Sequence, residues 1–482
     1  MQYKNKHDIL ILDNKKREFA RGLSSFSSEE INKIEFPPLI DEDGPYSEFA
    51  KLLYKLNSYK TGPVKGWYVV VRPNNKEYVV GQLCVDSNIP VYLFENEKFQ
   101  TENEAKSRAA ELRAQGVDVI NFSVGEPDFN TPDHIIRAGK EAMDNGFTKY
   151  TAGSGMIELR EAICEKLERD NELYYGPNQV LVSNGEKQSL FTACQVLFQQ
   201  GDEVIIFSPY WVSFPEFVRL ADAEPIIVKT DPNNQFEPDF DDLQLKITNK
   251  TKGVIINSPS NPTGGVWSEE AIIKILKMSA QNNWMVISDE CYEQLVFDGK
   301  FVSTQKLNSY ETNVLTCMSL SKTYAMTGWR IGYAVGDMDI IKAMSKLQGQ
   351  ATSCANSIGQ KAAIAALTGD QEPVEIMRNK FKGRRDLMVE LLRKIPDISC
   401  SVPGGAFYVF PDFSHYLNKS ANGHILHDSF ALCDYILDSA EVVTVPGDGF
   451  GAPGHIRFSC ATKKDTIREG IDRVAKVLND LN

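Results

Sequence analysis

The sequence predicts an α/β protein built on a mostly parallel sheet, with an additional α+β module at its N-terminus. From Glu102 onward, short apolar segments alternate with longer segments of helical periodicity. Strands that are apolar along their whole length are typical of parallel sheets covered by helices on both faces. The first hundred residues lack this alternation, so we assign residues 1–98 to a separate accessory module.

The predicted strands of the parallel sheet share a short apolar run that ends in polar or glycine-containing segments. These strands are Gln179–Ser183, Glu203–Phe207, Gly253–Asn257, Met285–Ser288 and Val314–Met318. Helical patterns lie between them, for example at Gln188–Phe198 and Ala271–Gln281. In the N-terminal module we predict short helices at Glu29–Ile34 and Glu48–Tyr54 and strands at Trp67–Val71, Tyr78–Gly81 and Pro90–Phe94. The first two of these strands flank a Pro-Asn-Asn-Lys turn, a pattern that indicates a β-hairpin.

Composition excludes several classes of function. The chain of 482 residues has a formal net charge of −13, which would repel a nucleic acid. No apolar run approaches the ~18 residues that a membrane helix needs, and the charged N-terminus does not resemble a secretory signal. The nine cysteines never occur in CxxC spacing, which argues against a disulfide framework and a structural metal site. We therefore expect a soluble cytoplasmic protein with no nucleic-acid partner, no membrane and no metal.

Polar and glycine residues follow each predicted strand of the sheet. The segments at these strand ends are Asn184-Gly185-Glu186-Lys187, Ser208-Pro209-Tyr210-Trp211, SPSNPTG ending at Gly264, Asp289 with Tyr292, and SLSKTYAMTGWR ending at Arg330. Ligands of parallel α/β sheets bind beyond the carboxyl ends of the strands. An anion-binding turn, an aromatic ring, an amide, a carboxylate, a phenol, a lysine and an arginine should therefore surround one site.

This collection of groups matches the chemical requirements of pyridoxal phosphate. The aldehyde of this cofactor needs an amine, and its pyridine nitrogen needs an anion that keeps it protonated. Its phosphate needs backbone N–H groups at a helix start together with a cation. Taken alone, each residue has a simpler explanation: Lys322 as a surface lysine, Asp289 as a helix cap, Trp211 as core. Their occurrence together at successive strand ends favours the cofactor.

From Glu102 to the C-terminus, roughly four fifths of the chain resembles the class I aminotransferases, the aspartate-aminotransferase family of fold-type I enzymes. The motifs that carry the resemblance are VGEPDF, FTKYT, SNGEKQSLF, SPYWVSFPE, NSPSNPTG, SDECYE, SLSKTYAMTGWRIGYA, PGGAFYVF and HIRFSCA. The resemblance implies a large cofactor-binding domain at 137–383 and a smaller α+β domain formed by 99–136 and 384–482. It also implies transamination with pyridoxal phosphate.

The resemblance further implies a role for individual residues. Lys322 would bind the cofactor covalently and move the substrate proton, Asp289 would hold the pyridine nitrogen, and Trp211 would stack on the ring. The residues that would contact the phenolic oxygen are Asn261 and Tyr292, and those that would surround the phosphate are Gly185, Glu186, Lys187, Ser319, Ser321 and Arg330. Tyr150 would reach the neighbouring subunit's site in a homodimer.

On the substrate side, the resemblance implies that Arg457 binds the α-carboxylate, helped by Asn261 and the backbone at Gly125. In the bacterial-type branch that GEKQSLF and SPYWVSFPE resemble most, Lys187 also meets the distal carboxylate of aspartate. We therefore expect a dicarboxylic amino donor and a 2-oxo acid such as 2-oxoglutarate. A lyase using the same cofactor remains an alternative, and a cofactor-sensing regulator is a weaker one because residues 1–98 contain no basic recognition helix. The N-terminal arm usual in the family has no counterpart upstream of Glu102.

Overall fold

A computed structural model describes residues 63–71, 79–84, 91–93, 118–421 and 424–481. The chain divides into two compact units, Met1–Lys98 and Phe99–Asn482. In the first unit, strands β1 (Pro63–Val71), β2 (Val79–Cys84) and β3 (Val91–Leu93) form an antiparallel sheet in the order β1-β2-β3. The three predicted strands are thus present, and β1 begins earlier than expected. The helices predicted at Glu29–Ile34 and Glu48–Tyr54, and the turn between β1 and β2, lie outside the described residues.

In the described part of the second unit, strands and helices alternate along much of the chain. The strands are β4 (Ile120–Asn121), β5 (Val180–Ser183), β6 (Glu203–Ser208), β7 (Glu224–Asp231), β8 (Glu237–Pro238), β9 (Thr251–Asn257), β10 (Met285–Asp289), β11 (Val314–Ser319), β12 (Gly332–Val335), β13 (Tyr408–Val409), β14 (Ser420–Ala421), β15 (His424–Ile425), β16 (Val442–Val443), β17 (Val445–Pro446) and β18 (Ile456–Ser459). The helices are α1 (Asp133–Asp144), α2 (Ile157–Asn171), α3 (Glu186–Leu197), α4 (Ser213–Leu220), α5 (Phe240–Lys246), α6 (Glu269–Asn282), α7 (Leu320–Thr323), α8 (Met338–Ala351), α9 (Ser357–Thr368), α10 (Glu372–Leu392), α11 (Ser429–Ala440) and α12 (Lys464–Asn479).

The central sheet has eight strands in the order β5-β12-β11-β10-β9-β6-β7-β8. Its inner pairs, β11-β10, β10-β9, β9-β6 and β6-β7, are all parallel, which confirms the predicted fold class. The structure adds three strands that the sequence did not predict: β7, β8 and β12. The last of these runs antiparallel between β5 and β11, because the chain turns back directly after the SLSKTYAMTGWR segment.

Both faces of this sheet are buried, as a parallel sheet requires. Alternate residues of a strand point to opposite faces. Leu181, Ile206, Ile255, Ile287 and Leu315 belong to one hydrophobic cluster, with helices α3 and α4 packed on it. Their neighbours in the strands belong to two other clusters, one of them covered by α6. The five predicted strands therefore read as continuously apolar because no face is exposed to water.

A separate hydrophobic cluster joins residues near Ile120 to the C-terminal part of the chain. Strand β4 pairs in parallel with β16, and β13, β18 and β17 form a small antiparallel sheet. Phe122 packs against Phe458 with ring centroids 5.8 Å apart, and Phe381 stacks on Phe407 at 5.2 Å. Tyr292, which follows β10, belongs to this cluster as well. Strand β10 therefore packs in the clusters on the two faces of the sheet, and the residues that follow it pack in this separate cluster.

Buried carboxylates fix the turn that follows β10. Glu290 Oε1 accepts hydrogen bonds from Ser288 Oγ (2.9 Å), Ser303 Oγ (3.0 Å) and the Thr304 N–H (3.0 Å). Glu293 forms an ion pair with Lys166 of α2, and the side chains are only 7% and 3% exposed. Since Asp289 and Tyr292 lie beside these two anchors, the network limits how far either can move.

We predict that Lys166→Met lowers the free energy of unfolding by about 3–5 kcal/mol, because it leaves the Glu293 carboxylate buried without its cation. Lys394→Met is the matched control: its pair with Glu390 is 63% exposed on both sides and screened by water, so its loss should leave the free energy of unfolding nearly unchanged. Denaturant unfolding of the two variants measures the difference. Equal shifts would show that the buried pair does not stabilise the fold.

Candidate active site

A cavity of about 310 Å³ lies at the carboxyl ends of the central strands. That volume is within the range of small-molecule sites. The lining residues that the sequence predicted are Gly125, Glu186, Lys187, Trp211, Asn261, Asp289, Tyr292, Ser319, Ser321, Lys322 and Arg330. The structure thus brings together groups from five strand ends, as expected for a parallel sheet.

Lys322 extends into this cavity from the short helix α7, which begins directly after β11. Its ammonium group donates a hydrogen bond to the carbonyl oxygen of Gly125. The same nitrogen lies 5.9 Å from the ring centroid of Phe407. Two predicted site residues that are 197 positions apart in the chain therefore meet.

Asp289 is the last residue of β10 and is only 4% exposed. Its Oδ1 accepts a hydrogen bond from the Cys291 N–H at 3.1 Å. Burial raises the pKa of Asp289 to about 6, and hydrogen bonds from Cys291, Glu186 and Asn257 oppose this rise. The site therefore contains a desolvated carboxyl group that gains strongly from a cationic partner.

Tyr292, Asn261 and Arg457 form a connected group on another side of the site. The Tyr292 hydroxyl lies 3.0 Å from the hydroxyl of Tyr408, and the two rings meet edge to face. Asn261 Oδ1 accepts a hydrogen bond from Arg457 at 2.9 Å, which leaves the amide NH₂ of Asn261 as a donor. Arg457, on β18, also donates to the Ser123 carbonyl oxygen at 3.0 Å and stacks over Tyr408. The residue is 1% exposed and is not among those that line the cavity of the single chain.

Gly185 and Arg330 pack directly against each other. Gly185 has φ +78°, and a Cβ atom on it would lie 2.3 Å from Nη2 of Arg330. Arg330 is itself left-handed, with φ 57°, and its guanidinium donates to the carbonyl oxygens of Thr327 (2.9 Å) and Asn184 (3.4 Å). Only glycine satisfies both the backbone conformation and the approach of the arginine.

The first residues of helices α7 and α3 lie at the same part of the cavity as Arg330. Ser319 caps α7, its Oγ accepting from the Ser321 N–H at 3.0 Å, and the Ser321 side chain is buried beside the cavity. Lys187 lies in the first turn of α3, with its ammonium 4.6 Å from the ring centroid of Trp211. Trp211 is itself fixed by edge-to-face contacts with Phe214 and Phe217. Cations and N–H donors thus gather at one end of the cavity.

Tyr150 is a predicted site residue that the structure does not bring into this group. Its side chain is 87% exposed, and it does not line the cavity of the single chain. The structure also adds residues that the sequence analysis missed. The additional lining residues are Glu126, Leu190, Asn257, Cys291, Thr327 and Tyr408. Asn257 and Cys291 adjoin motif residues, so proximity could have identified them, whereas Tyr408 is recognised only through its contact with Tyr292.

The donor set fits pyridoxal phosphate. A lysine amine, a buried carboxyl group and a half-buried indole ring surround the cavity. At the anion-binding end, the absence of a Cβ on Gly185 gives Arg330 the space it occupies. A cofactor with an aldehyde, a basic ring nitrogen and a phosphate finds a complementary group for each.

Comparisons with known proteins agree with this chemistry. Residues 117–474 match the family described as "Aminotransferase class I and II". The chain is 43% identical over 370 residues to an aspartate aminotransferase of Bacillus sp. (strain YM-2), covering 76% of this chain and 93% of that one. It is 42% identical over 379 residues to a probable aspartate/prephenate aminotransferase of Aquifex aeolicus, covering 78% and 95%.

Solved structures show the same similarity. The aspartate aminotransferase of Rhizobium meliloti aligns with a TM-score of 0.76 at 38% identity, covering 80% of this chain and 98% of that one. The Thermus thermophilus aspartate aminotransferase with maleate aligns with a TM-score of 0.73 at 39% identity, covering 79% and 97%. Fold and site define a fold-type I enzyme that uses pyridoxal phosphate. The chain belongs to the class I and II aminotransferase family, and it is an aminotransferase.

The raised pKa of Asp289 predicts a conflict between stability and binding. Its carboxyl group titrates near 6 in the fold and near 3.8 when unfolded, so ionisation costs stability increasingly as the pH rises from 3.8 to 6. We expect Asp289→Asn to raise the free energy of unfolding of the cofactor-free protein by about 2–3 kcal/mol above pH 6, and by less towards pH 4. The same variant should bind the cofactor more weakly.

Unfolding of the cofactor-free wild type and variant at pH 5 and pH 8 measures this difference. The Asp222→Asn variant, which changes an exposed aspartate, is the control and should show no comparable gain. A variant that is no more stable than the wild type at pH 8 would contradict the prediction.

Proposed function

We propose that the enzyme transfers the amino group of a dicarboxylic amino acid, aspartate or glutamate, to a 2-oxo acid such as 2-oxoglutarate. The observation that carries this proposal is the position of Lys187, whose ammonium group lies over Trp211 at the cavity wall. A cation here is placed to bind a second carboxylate. The printed names of the relatives include aspartate aminotransferases, and one related structure was solved with the dicarboxylate maleate.

The same proposal assigns the groups that hold the cofactor. Asp289 keeps the proton on the pyridine nitrogen, because a buried carboxylate gains most from a cation at contact distance. Tyr292 and the Asn261 amide donate to the phenolic oxygen, and Trp211 covers the ring. The backbone at Gly185 and Glu186, with Lys187, Ser319, Ser321 and Arg330, binds the phosphate.

When bound, pyridoxal phosphate supplies an electron sink for the substrate Cα. Lys322 provides the amine that binds the cofactor and later carries the proton to and from Cα. Arg457 binds the α-carboxylate with its planar guanidinium, which Asn261, Ser123 and the ring of Tyr408 hold in place. Since these contacts orient Arg457 in the protein, little side-chain entropy is lost when the substrate arrives.

We expect Lys322→Ala to abolish amino transfer and to remove the visible absorption of the purified protein, because the variant lacks the amine that binds the cofactor aldehyde. Absorption spectra and an assay of amino donors with 2-oxoglutarate test both effects. Lys419→Ala, at a half-buried lysine beside the ring of Tyr416, is the control and should retain both properties. Unchanged absorption and turnover in the Lys322 variant would refute the assigned function.

Substrate preference depends on two cations with different expected effects. Lys187→Met keeps the aliphatic stem over Trp211 and removes the charge, so kcat/KM for aspartate and glutamate should fall about tenfold or more, while aromatic donors are spared. Arg457→Ala should reduce kcat/KM for every donor, because all of them carry an α-carboxylate. Steady-state kinetics with a panel of donors separates the two patterns.

Lys187→Arg is the matched control, since it retains the charge and should keep most of the preference for acidic donors. If Lys187→Met reduced activity evenly across acidic and aromatic donors, Lys187 would serve the phosphate alone. The dicarboxylic assignment would then be withdrawn.

We also propose that the enzyme is a cytoplasmic homodimer with shared sites. Tyr150 supports this, because an aromatic ring 87% exposed in the single chain becomes useful if it reaches a neighbour's phosphate. The eight cysteines from Cys164 to Cys460 are free thiols, as suits a reducing compartment. Sedimentation at low concentration tests the dimer, and a fully active monomer would exclude it.

None of the helices in the described part could span a membrane.

The division into domains remains part of the proposal. We assign cofactor binding to residues 137–383, the smaller domain to 99–136 and 384–482, and an accessory role outside catalysis to residues 1–98. Among the described residues, most of those that line the cavity fall within 137–383, which supports the assignment of cofactor binding to that range, while Gly125, Glu126 and Tyr408 come from the smaller domain.

A further inference from the structure

The side chain of Glu186 does not point where the position of the residue at a helix start suggests. It is the first residue of α3, where its backbone faces the anion-binding end of the cavity. Its side chain, however, is buried, with the whole residue 5% exposed, and is directed to Asp289. The two carboxyl groups lie within hydrogen-bonding range of each other. The side chain of Glu186 therefore contacts the carboxyl group of Asp289, while its backbone N–H remains at the start of α3.

Two buried carboxyl groups that are hydrogen-bonded to each other require a shared proton. If both were ionised in a buried site, their repulsion would be large, whereas one proton converts the contact into a hydrogen bond. Oε1 of Glu186 is buried without a hydrogen-bond partner among the described residues. The Cys291 thiol, a weak donor, also bonds the Glu186 carboxyl group and lowers its pKa, but by less than burial raises it. An ionised oxygen in that position would lose its hydration without replacement, while a protonated group could donate instead.

The surroundings of the pair place the proton on Glu186. Burial raises the pKa of Glu186 well above its usual range, and the charge of Asp289 raises it further. Asp289 retains the hydrogen bond from the Cys291 N–H, which favours its ionised form. Of the two groups, Asp289 is the better acceptor and Glu186 the better donor.

Other titratable groups around the pair do not replace this donor. Lys322 lowers the pKa of Glu186 through its charge, but this effect is smaller than that of burial. Burial raises the pKa values of Cys291, Cys317 and Tyr333 well above their usual range, so these groups remain neutral near pH 7. The carboxyl group of Glu290 accepts hydrogen bonds from Ser288, Ser303 and Thr304.

We propose that Glu186 is a positioning residue whose protonated carboxyl group donates a hydrogen bond to Asp289, and so keeps Asp289 ionised and oriented towards the pyridine nitrogen of the cofactor. The inference rests on the proposed role of Asp289. It makes the nitrogen-binding site a pair of carboxyl groups that together hold one proton and one negative charge.

The rate at which cofactor leaves the full-length holoenzyme tests this arrangement. Glu186→Gln retains a donor of similar shape, so release should stay within about threefold of the wild type. Glu186→Ala removes the donor, and release should become about ten- to a hundredfold faster, the usual effect of losing a hydrogen bond to a charged group. Equal rates in Glu186→Ala and the wild type would overturn the proposal. A Gln variant as impaired as the Ala variant would do so too.

Asp289→Ala separates this inference from the function on which it rests. If Asp289→Ala left release unchanged, the proposed role of Asp289 would fail. If Asp289→Ala accelerated release while Glu186→Ala did not, only the role of Glu186 would fail. Circular dichroism and thermal melting confirm that each variant is folded.

An infrared difference spectrum between the wild type and Glu186→Gln at neutral pH gives a second measurement that does not depend on the alanine variant. We expect the spectrum to show the loss of one protonated carboxyl band. The loss of an ionised carboxylate band instead would show that Glu186 carries the negative charge, and would overturn the proposal.

Discussion

The desolvated carboxyl group of Asp289 is the constraint on which the arrangement of this enzyme depends. A negative charge inside a protein is costly unless neighbouring groups compensate it. In this site the compensation comes from the turn after β10, from Glu186 on α3 and from Asn257 on β9. The network of Glu290, Glu293 and Lys166 fixes the same turn from behind. Many of the buried hydrogen-bonding groups next to the cavity thus fix the position of the Asp289 carboxyl group.

The sequence was informative where local chemistry and strand order determine the outcome. Residues after Ser183, Phe207, Asn257, Ser288 and Met318 were expected to meet, and they line one cavity because parallel strands end at one edge. Strand β12 was not predicted, since it is short and its pairing depends on distant strands. Its Gly332 packs against the backbone of Glu186, where a Cβ would lie 2.2 Å from the nitrogen.

Side-chain direction was the information that the sequence lacked. Glu186 was grouped with the phosphate because of its place at a helix start, yet its carboxyl group is directed to Asp289. Tyr408 belongs to the PGGAFYVF motif but was not assigned to the site, because its contact with Tyr292 spans 116 positions. Motif position identifies which residues are near a site. Tertiary packing decides which atoms face it.

The contact between Gly185 and Arg330 has an evolutionary consequence. Any side chain at 185 would occupy the space of the arginine, and the positive φ of Gly185 would add strain. Replacing Arg330 by a small residue would relieve the clash but remove a cation from the anion-binding end. Neither position can drift alone, so divergence at this end of the cavity requires paired substitutions. Because each substitution is unfavourable without the other, the amino-acid sequence of the turn after β5 should evolve slowly.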